Sequence, residues 1–279
     1  MTFRDDTAVR RIDESTFSAE IVSGWDIAGN ANGGYLLAMI ARAVTEVTGK
    51  PHPVTVSAHY LAPAHPGPVT IEVEPVRIGG RHATAVATLR ADDRPLIVAL
   101  ATTTDLSVVD DPLLVVGSPP DLPDPADCVA MEPERDGAPS FVGNVELRLH
   151  PEDAGFMKGE GSGTARVRGW FRFRDGEAID PIGLLVAVDG FPPTIFNANL
   201  PVGWTPTVEL TAHVRGVPEP GWLRCAFTTR FVTGGYLEED GEVWDTTGRV
   251  IAQSRQLALV PRAEGDGFEA VPDETHGRQ

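Results

Sequence analysis

One aspartate in an apolar segment has the setting in this chain best suited to acid–base chemistry. Asp189 is the only ionisable residue between Asp180 and the end of the apolar, proline-capped run 182–196. An isolated buried carboxylate is costly, and burial raises its pKa toward that of a useful general base. The dipole near the C-terminal end of a helix also disfavours negative charge. Asp189 is therefore either a functional carboxylate with specific partners or a turn residue before the Gly190 turn.

A second candidate site is the start of the first apolar helix, where Asn32 is followed by Gly33 and Gly34. Glycines at a helix N-terminus expose backbone N–H groups that no side chain blocks. Such groups suit a carbonyl oxygen that acquires negative charge during a reaction. Tight packing of the helix against a sheet explains the same glycines equally well.

Other catalytic patterns are missing from the sequence. Ser162 lies between two glycines, but a nucleophile elbow needs glycines at 160 and 164, where the chain has Glu160 and Thr164. We find neither a phosphate-binding glycine loop nor histidines at metal-ligand spacing. We therefore expect no serine nucleophile, no metal and no cofactor.

The elements that position these residues occur twice. Shifting the sequence by 154 positions places the segment 54–59 on the segment 208–213, and Pro66-Gly67 on Pro220-Gly221. Each copy reads as one strand, one buried helix and four strands. The expected strands are 17–22, 54–61, 69–78, 84–90 and 96–106, then 165–174, 207–214, 223–232, 237–244 and 249–260; the expected helices are 35–48 and 182–189. Asp180-Pro181 supplies a start signal for the second helix.

This pattern predicts an α+β double hotdog, in which two tandem units, each a helix wrapped by an antiparallel sheet, form one pseudo-dimer. We place the N-terminal hotdog at 1–106 and the C-terminal hotdog at 141–262. Between them, 107–140 holds seven prolines and reads as a surface linker. The end, 263–279, reads as a flexible acidic tail.

Composition limits the partners. The net charge of −17 argues against nucleic acid, which is held by clusters of Lys and Arg. We find no apolar stretch long enough for a membrane span and no apolar signal segment after the charged N-terminus. Cys128 and Cys225 form no ligand pattern and read as free thiols. A cytoplasmic protein is the expectation.

At this point the chain resembles a known family, the TesB-like (thioesterase II) double-hotdog acyl-CoA thioesterases. In the first half the resemblance rests on Asn32-Gly33-Gly34-Tyr35 and on His59-Tyr60-Leu61…Pro63…Gly67. In the second half it rests on Asp189 and on two short segments, Pro206-Thr207-Val208-Glu209 and Gly248-Arg249-Val250-Ile251-Ala252…Gln256. It covers nearly everything from Phe17 to Arg262 outside the linker.

The resemblance implies hydrolysis of a fatty-acyl-CoA, with a role in fatty acid metabolism. In that family an Asp, a Thr and a Gln hold and activate the water, and the matching positions are Asp189, Thr207 and Gln256. A hydroxyl and a carboxamide can orient one water without competing for its charge. The chain departs from the family around Thr207, where Glu209 and Leu210 replace an expected aspartate and histidine. The alternative is that Thr207 and Gln256 are ordinary strand residues with no catalytic role.

Comparing the two copies restricts the site to one half. At the same offset of 154 positions, Asp189 corresponds to Tyr35, Thr207 to Pro53 and Gln256 to Thr102. The first copy offers no carboxylate, so we expect one active centre per chain. It is built from second-half side chains, with Asn32, Gly33 and Gly34 binding substrate. The histidines repeated in both copies, His59 and His213, are assigned to the fold.

Two other functions fit the same fold. An enoyl-CoA hydratase or dehydratase needs an Asp/His pair near the helix start, but Asp26 has no histidine within the next five positions. A non-catalytic acyl-CoA-binding module needs no catalytic group at all. Arg77 and Arg81 are candidates for the coenzyme A phosphates, and exposed sheet edges favour a homodimer or higher homo-oligomer. The acyl chain length is not readable from the sequence.

Overall fold

A computed structural model of the protein describes residues 2–108, 114–134, 137–200 and 203–260. The acidic tail expected at 263–279 and parts of the expected linker lie outside the described residues. Fourteen strands form one antiparallel sheet, and two short strands pair separately. None of the helices in the described ranges is long and apolar enough to cross a membrane.

The first half contains the longest helix and the strands around it. Its elements are α1 Phe3–Asp6, β1 Arg10–Arg11, β2 Thr16–Ile21, β3 Asp26–Ile27, β4 Asn30–Ala31, α2 Gly33–Thr48, β5 His52–Tyr60, β6 Gly67–Ile78, β7 Ala83–Ala91 and β8 Arg94–Thr104. Helix α2 is buried almost all round, because the strands of this half curve around it. The side chain of Asn32 accepts the first free N–H, from Tyr35, and Gly49 ends the helix with a φ of 66°.

The second half repeats the order with a much shorter helix. Its elements are β9 Val129–Ala130, β10 Val145–Leu149, β11 Arg166–Phe173, α3 Leu184–Ala187, β12 Thr207–Val214, β13 Leu223–Thr228, β14 Val232–Thr233, β15 Tyr236–Trp244 and β16 Val250–Leu259. The expected helix 182–189 is α-helical only over α3, with turns on either side. Asp180 caps the turn before α3 and not the helix itself, because its Oδ1 accepts from Gly183 N at 2.7 Å and Gly183 is the N-cap residue of α3.

The two halves join edge to edge through β5 and β12. The strand order is β1-β2-β6-β7-β8-β5-β12-β16-β15-β13-β11-β10-β9, with β14 paired to β15. Ser57 lies opposite Thr211, its own counterpart in the 154-residue repeat, and Thr211 Oγ1 donates to Ser57 Oγ at 2.7 Å. The pseudo-twofold axis that relates the halves therefore passes between these two side chains. The architecture is the double hotdog that the repeat predicts.

The structure also differs from the sequence expectation outside the second helix, and the short strands β1, β3 and β4 were not expected. Within 107–140, expected to be a linker throughout, the chain forms β9, and β10 follows it; neither strand was expected. The expected strand 223–232 is divided into β13 and β14. The N-terminal helix α1 reaches across to the second half, where Phe3 stacks on Phe173 with ring centroids 4.4 Å apart. The two-residue strand β9 and the cross-half contact leave no periodic signal in the sequence, whereas β10 alternates apolar and charged residues and could have been predicted from that pattern.

Candidate functional site

Asp189 lies where the chain leaves α3 and meets the start of α2. Asn32 Nδ2 donates to Asp189 Oδ2 at 2.9 Å, and Gly34 N donates to the same oxygen at 2.8 Å. Asn32 Nδ2 also reaches the backbone carbonyl of Asp189 at 2.9 Å. A carboxylate of one half is thus held by the helix N-terminus of the other, the location that favours a negative charge.

Burial dominates the electrostatics of this carboxylate. It raises the pKa of Asp189 from 3.8 to about 6, while the donors at Gly34, Asn32 and Gly33 oppose the shift by stabilising the ionised form. Asp189 is surrounded by protein and yet keeps some accessible surface. Its ionised form is available at neutral pH and is a stronger base than an exposed aspartate.

The residues expected to bind substrate are the ones that hold Asp189. Asn32 is buried and acts twice, because its Oδ1 caps α2 while its Nδ2 binds Asp189. A methyl group on Gly34 would clash with the carbonyl oxygen of Leu185, so α2 and α3 approach this closely only with glycine there. A direct role for Asn32, Gly33 or Gly34 in binding substrate stays a prediction.

Tyr60 brings an unpaired hydroxyl to the same place. A methyl group on Gly33 would lie 2.7 Å from the Tyr60 hydroxyl oxygen and 2.9 Å from Asp189 Oδ2, so both oxygens border the start of α2. The hydroxyl is buried and has no hydrogen-bond partner in the described chain. Burial raises the pKa of Tyr60 well above its usual value, so the group remains an O–H donor.

Thr207 and Gln256 form the second part of the site. Gln256 Nε2 donates to Thr207 Oγ1 at 3.0 Å, from β16 to the first residue of β12. A β-bulge between Thr207 and Glu209 makes this contact possible, because it places Thr207 opposite Ala258 on the side that faces the helices. Regular alternation would have placed Thr207 on the outer side with Glu209.

A second acid, Glu239, lies near both parts of the site, and no sequence pattern predicted it. It lies on β15 directly opposite Gln256, and therefore on the same face of the sheet. Its side chain is only 8% exposed. Thr194 N donates to its Oε2 at 2.8 Å, and no cation pairs with it in the described ranges. No hydrogen bond between described residues joins Asp189 directly to Thr207 or Gln256.

The environment separates the two carboxylates. Burial raises the pKa of Glu239 to about 7, and the negative charge of Asp189 contributes to that shift. Asp189, with the lower pKa, ionises first, and its charge then helps Glu239 to keep its proton. A pair of acids with separated pKa values is the arrangement in which one serves as base while the other serves as acid.

The first half has no equivalent of this site. Tyr35 is buried, and its hydroxyl donates to the carbonyl of Asp6 at 2.9 Å. The strand register corrects the expected counterpart of Gln256: Val56 pairs with Ala101 just as Leu210 pairs with Gln256, so the counterpart is Ala101 and not Thr102. The offset of 154 positions does not apply to β8 and β16, because the second half has one additional residue before β16.

Several other candidates lie apart from the site. His59 and His213 are exposed on the outer side of the sheet. Asp26 accepts from Ser140 Oγ at 2.6 Å, a contact that holds a loop. Arg77 and Arg81 are exposed beside the β6–β7 turn, and binding of phosphates there stays a prediction. Both cysteines are free and buried.

One group in the described ranges has the spacing of a metal site, namely His150, Glu152 and Asp153, whose ligand atoms lie within 4.8 Å of one another. Its carboxylates are already neutralised. Arg168 Nε donates to Asp153 Oδ2 at 2.7 Å, and Arg166 Nη2 contacts Asp153 Oδ1 at 3.1 Å. The group is an ion-pair network, and none of its ion pairs among the described residues involves Asp189.

Comparisons with known proteins agree with this architecture. The family model described as acyl-CoA thioesterase N-terminal domain matches residues 21–104, and the one described as acyl-CoA thioesterase C-terminal domain matches residues 125–260. A candidate thioesterase II from Thermobifida fusca is 32% identical, with a TM-score of 0.86 over 94% of this chain and 98% of its own.

Two further relatives carry less functional information. A hotdog-fold protein of unknown function from Alicyclobacillus acidocaldarius has a TM-score of 0.82 at 22% identity, over 94% of this chain and 98% of its own. An uncharacterized protein of Mycobacterium tuberculosis is 29% identical over 88% of this chain and 91% of its own length. The first shows the fold alone, and the second has no stated activity.

Proposed function

The chain belongs to the acyl-CoA thioesterase family, and on that premise we propose that it hydrolyses a fatty-acyl thioester of coenzyme A by general-base catalysis. The observation that carries the proposal is Asp189, a carboxylate of raised pKa that is partly accessible and held by Asn32 and Gly34. Three donors fix its position while burial keeps it basic, which is what water activation requires.

In the proposed reaction Asp189 accepts a proton from a water molecule as the water oxygen attacks the thioester carbonyl carbon. Thr207 and Gln256 orient that water, because together they present a hydroxyl and a carboxamide from the facing sheet. The tetrahedral intermediate then collapses, the carbon–sulfur bond breaks, and the sulfur leaves with the electron pair. The products are the free acid and coenzyme A.

This chemistry requires no covalent enzyme intermediate. A thiol of pKa about 8.5 leaves more readily than an alcohol, so water can attack the thioester directly once it is activated and the oxyanion is stabilised. The hydroxyl of Tyr60 supports the second requirement, since it is an unpaired donor beside Asp189. The proposal therefore involves side chains alone and no metal or cofactor.

The decisive experiment compares wild type with Asp189→Asn. We expect thiol release from a panel of acyl-CoA substrates to fall by at least about 100-fold, because general-base catalysis contributes on that order. Asp180→Asn is the matched control, since asparagine also caps helices and Asp180 lies outside the site. Equal rates for wild type and Asp189→Asn would contradict the assignment. Binding of acyl-CoA without thiol release by wild type would make the protein a binding module.

We also propose a cytoplasmic homo-oligomer that acts in fatty acid metabolism. Two buried free thiols are typical of a reducing compartment. Exposed apolar side chains on the outer side of the sheet, Leu100 at 49% and Leu257 at 38%, support contact with another copy. Sedimentation of purified protein tests the oligomeric state.

A further inference from the structure

Building on the proposed thioester hydrolysis, we propose that Glu239 is a catalytic acid, which donates a proton to the departing coenzyme A sulfur. It lies on the buried side of β15, opposite Gln256, and its charge interacts with that of Asp189. The acid–base pair would then be Asp189 on the water side and Glu239 on the leaving-group side. This assigns a role to a buried acid that the proposed water activation does not use.

The position of Glu239 is the first argument. Its Cα partner across β15 and β16 is Gln256, whose carboxamide contacts Thr207, so the three side chains share one face of the sheet. Glu239 is close enough to Asp189 for the two charges to interact. It therefore lies on the sheet side of the site, while Asp189 lies on the helix side.

The environment of Glu239 is the second argument. The groups that face it are Thr194, which donates its N–H, Gln256 from β16, and the carboxylate of Asp189 from the segment after α3. On its own strand the nearest charge is Glu238 on the opposite face, which is also negative. No cation in the described chain pairs with Glu239. Buried among neutral and negative groups, the side chain keeps its proton near neutral pH.

A structural explanation for Glu239 is incomplete. Its hydrogen bonds come from Thr194, whose N–H donates at the start of the short 3₁₀ helix Thr194–Ala198 and whose side chain contributes as well. A neutral side chain could accept these hydrogen bonds too, without the cost of burying an acid. A buried acid with a raised pKa and no cation partner among the described residues is a candidate functional group.

The proposed step balances as follows. Asp189 takes one proton from the attacking water, and the remaining hydroxide adds to the carbonyl carbon. When the carbon–sulfur bond breaks, the sulfur keeps the electron pair and takes the proton of Glu239, which becomes a carboxylate. The proton on Asp189 then returns to Glu239, directly or through water, and both groups are reset. The net change is the addition of one water across the thioester bond.

The test varies the leaving group. We expect Glu239→Gln to slow hydrolysis of acyl-CoA by about 100-fold, because a thiolate of high pKa must leave without its proton. For a thiophenyl ester of the same acyl group, whose thiolate is far more stable, the variant should be slowed less than about threefold. Glu242→Gln, on the same strand but exposed on the other face, is the matched control and should leave both rates unchanged.

The pH profile of wild type gives a second measurement that needs no variant. With acyl-CoA the rate should fall at high pH as Glu239 loses its proton, and with the thiophenyl ester that fall should be absent. Equal slowing of both substrates by Glu239→Gln, no slowing of either, or identical wild-type profiles would overturn the inference. If wild type hydrolyses neither substrate, the proposed function fails instead, so the two failures are distinguishable.

Discussion

At the scale of single residues, the proposed site contains two acids, Asp189 and Glu239, to which we assign opposite roles in proton transfer. Asp189 has three donors and the lower pKa, about 6, whereas Glu239 has one backbone donor and the higher pKa, about 7. Burial raises both pKa values, and their order follows the ordinary values of the two acids, 3.8 for aspartate and 4.5 for glutamate. Because the two groups interact, any titration reports values of the pair, and a variant of each residue is needed to separate them.

The raised pKa of Glu239 predicts a pH-dependent gain of stability on its replacement. The native protein binds this proton more tightly than the unfolded chain, in which the pKa is about 4.5. The destabilisation caused by burying the charge is therefore absent below pH 4.5, grows as pH rises from 4.5 to about 7, and is constant above that. Glu239→Gln should match wild type at pH 4 and exceed it by about 1–3 kcal/mol at pH 8.

Urea unfolding of both proteins at a series of pH values measures this difference directly. The comparison within each pH cancels the effect of the large negative charge of the whole chain, which both proteins share. A stability difference that stays constant from pH 4 to pH 8 would show that the pKa of Glu239 is the same in the native and the unfolded protein.

The sequence predicted Asp189 because of its isolation in an apolar run, and it could not predict Glu239 in the same way. Glu239 is flanked by Glu238 and Asp240, so its neighbourhood looks like a solvated acidic strand. The only signal is alternation, since Leu237, Glu239, Gly241 and Val243 share the buried side of β15. Alternation shows the direction of a side chain but not whether it meets a cation, a donor or a cavity.

At the scale of elements, the close contact between α2 and the turn after α3 organises the site. The two neighbouring glycines at this contact, Gly33 and Gly34, have different surroundings. At Gly34 an added methyl group would meet backbone atoms of Leu185 and Val186, which cannot move aside cheaply. At Gly33 the three nearest atoms all belong to side chains, namely the hydroxyl oxygen and Cε1 of Tyr60 and the carboxylate oxygen Oδ2 of Asp189.

This contrast predicts opposite phenotypes for two alanine variants. Gly34→Ala should lower the unfolding free energy by about 2–4 kcal/mol, because overpacking forces the two helical segments apart. Gly33→Ala should change stability by about 1 kcal/mol or less but lower the rate of acyl-CoA hydrolysis, because it displaces the carboxylate. Thermal unfolding and steady-state kinetics on both variants separate the effects. Equal loss of stability in both would contradict this view of the interface.

Element boundaries show what the sequence could and could not predict. The helix at 35–48 and the strand at 207–214 were predicted almost to the residue, because hydrophobic period and turn residues agree there. The sequence did not predict the β-bulge at Thr207 or its counterpart at Pro53 in β5. A bulge changes which side a residue faces without changing the residues themselves, so the contact between Thr207 and Gln256 follows from the fold alone.

At the scale of the whole molecule, the duplication provides two equivalent places for a site. Only one of them carries the polar side chains of the proposed site. The axis between Ser57 and Thr211 relates the halves, but Asp189 has only Tyr35 as its repeat partner. The equipped site also needs both halves, because the first supplies Asn32 and Gly34 while the second supplies Asp189. Neither half contains a complete centre, so each chain should bind one acyl-CoA.

Calorimetric titration with a thioether analogue of acyl-CoA, which cannot be hydrolysed, measures this stoichiometry. We expect one molecule bound per chain, whatever the number of chains in the assembly. The first half cannot form a second catalytic centre, since Pro53 and the buried Ala101 occupy the places of Thr207 and Gln256. Binding of two analogues per chain with similar affinity, or activity that survives Asp189→Asn at half the wild-type rate, would show that the first half holds a working site after all.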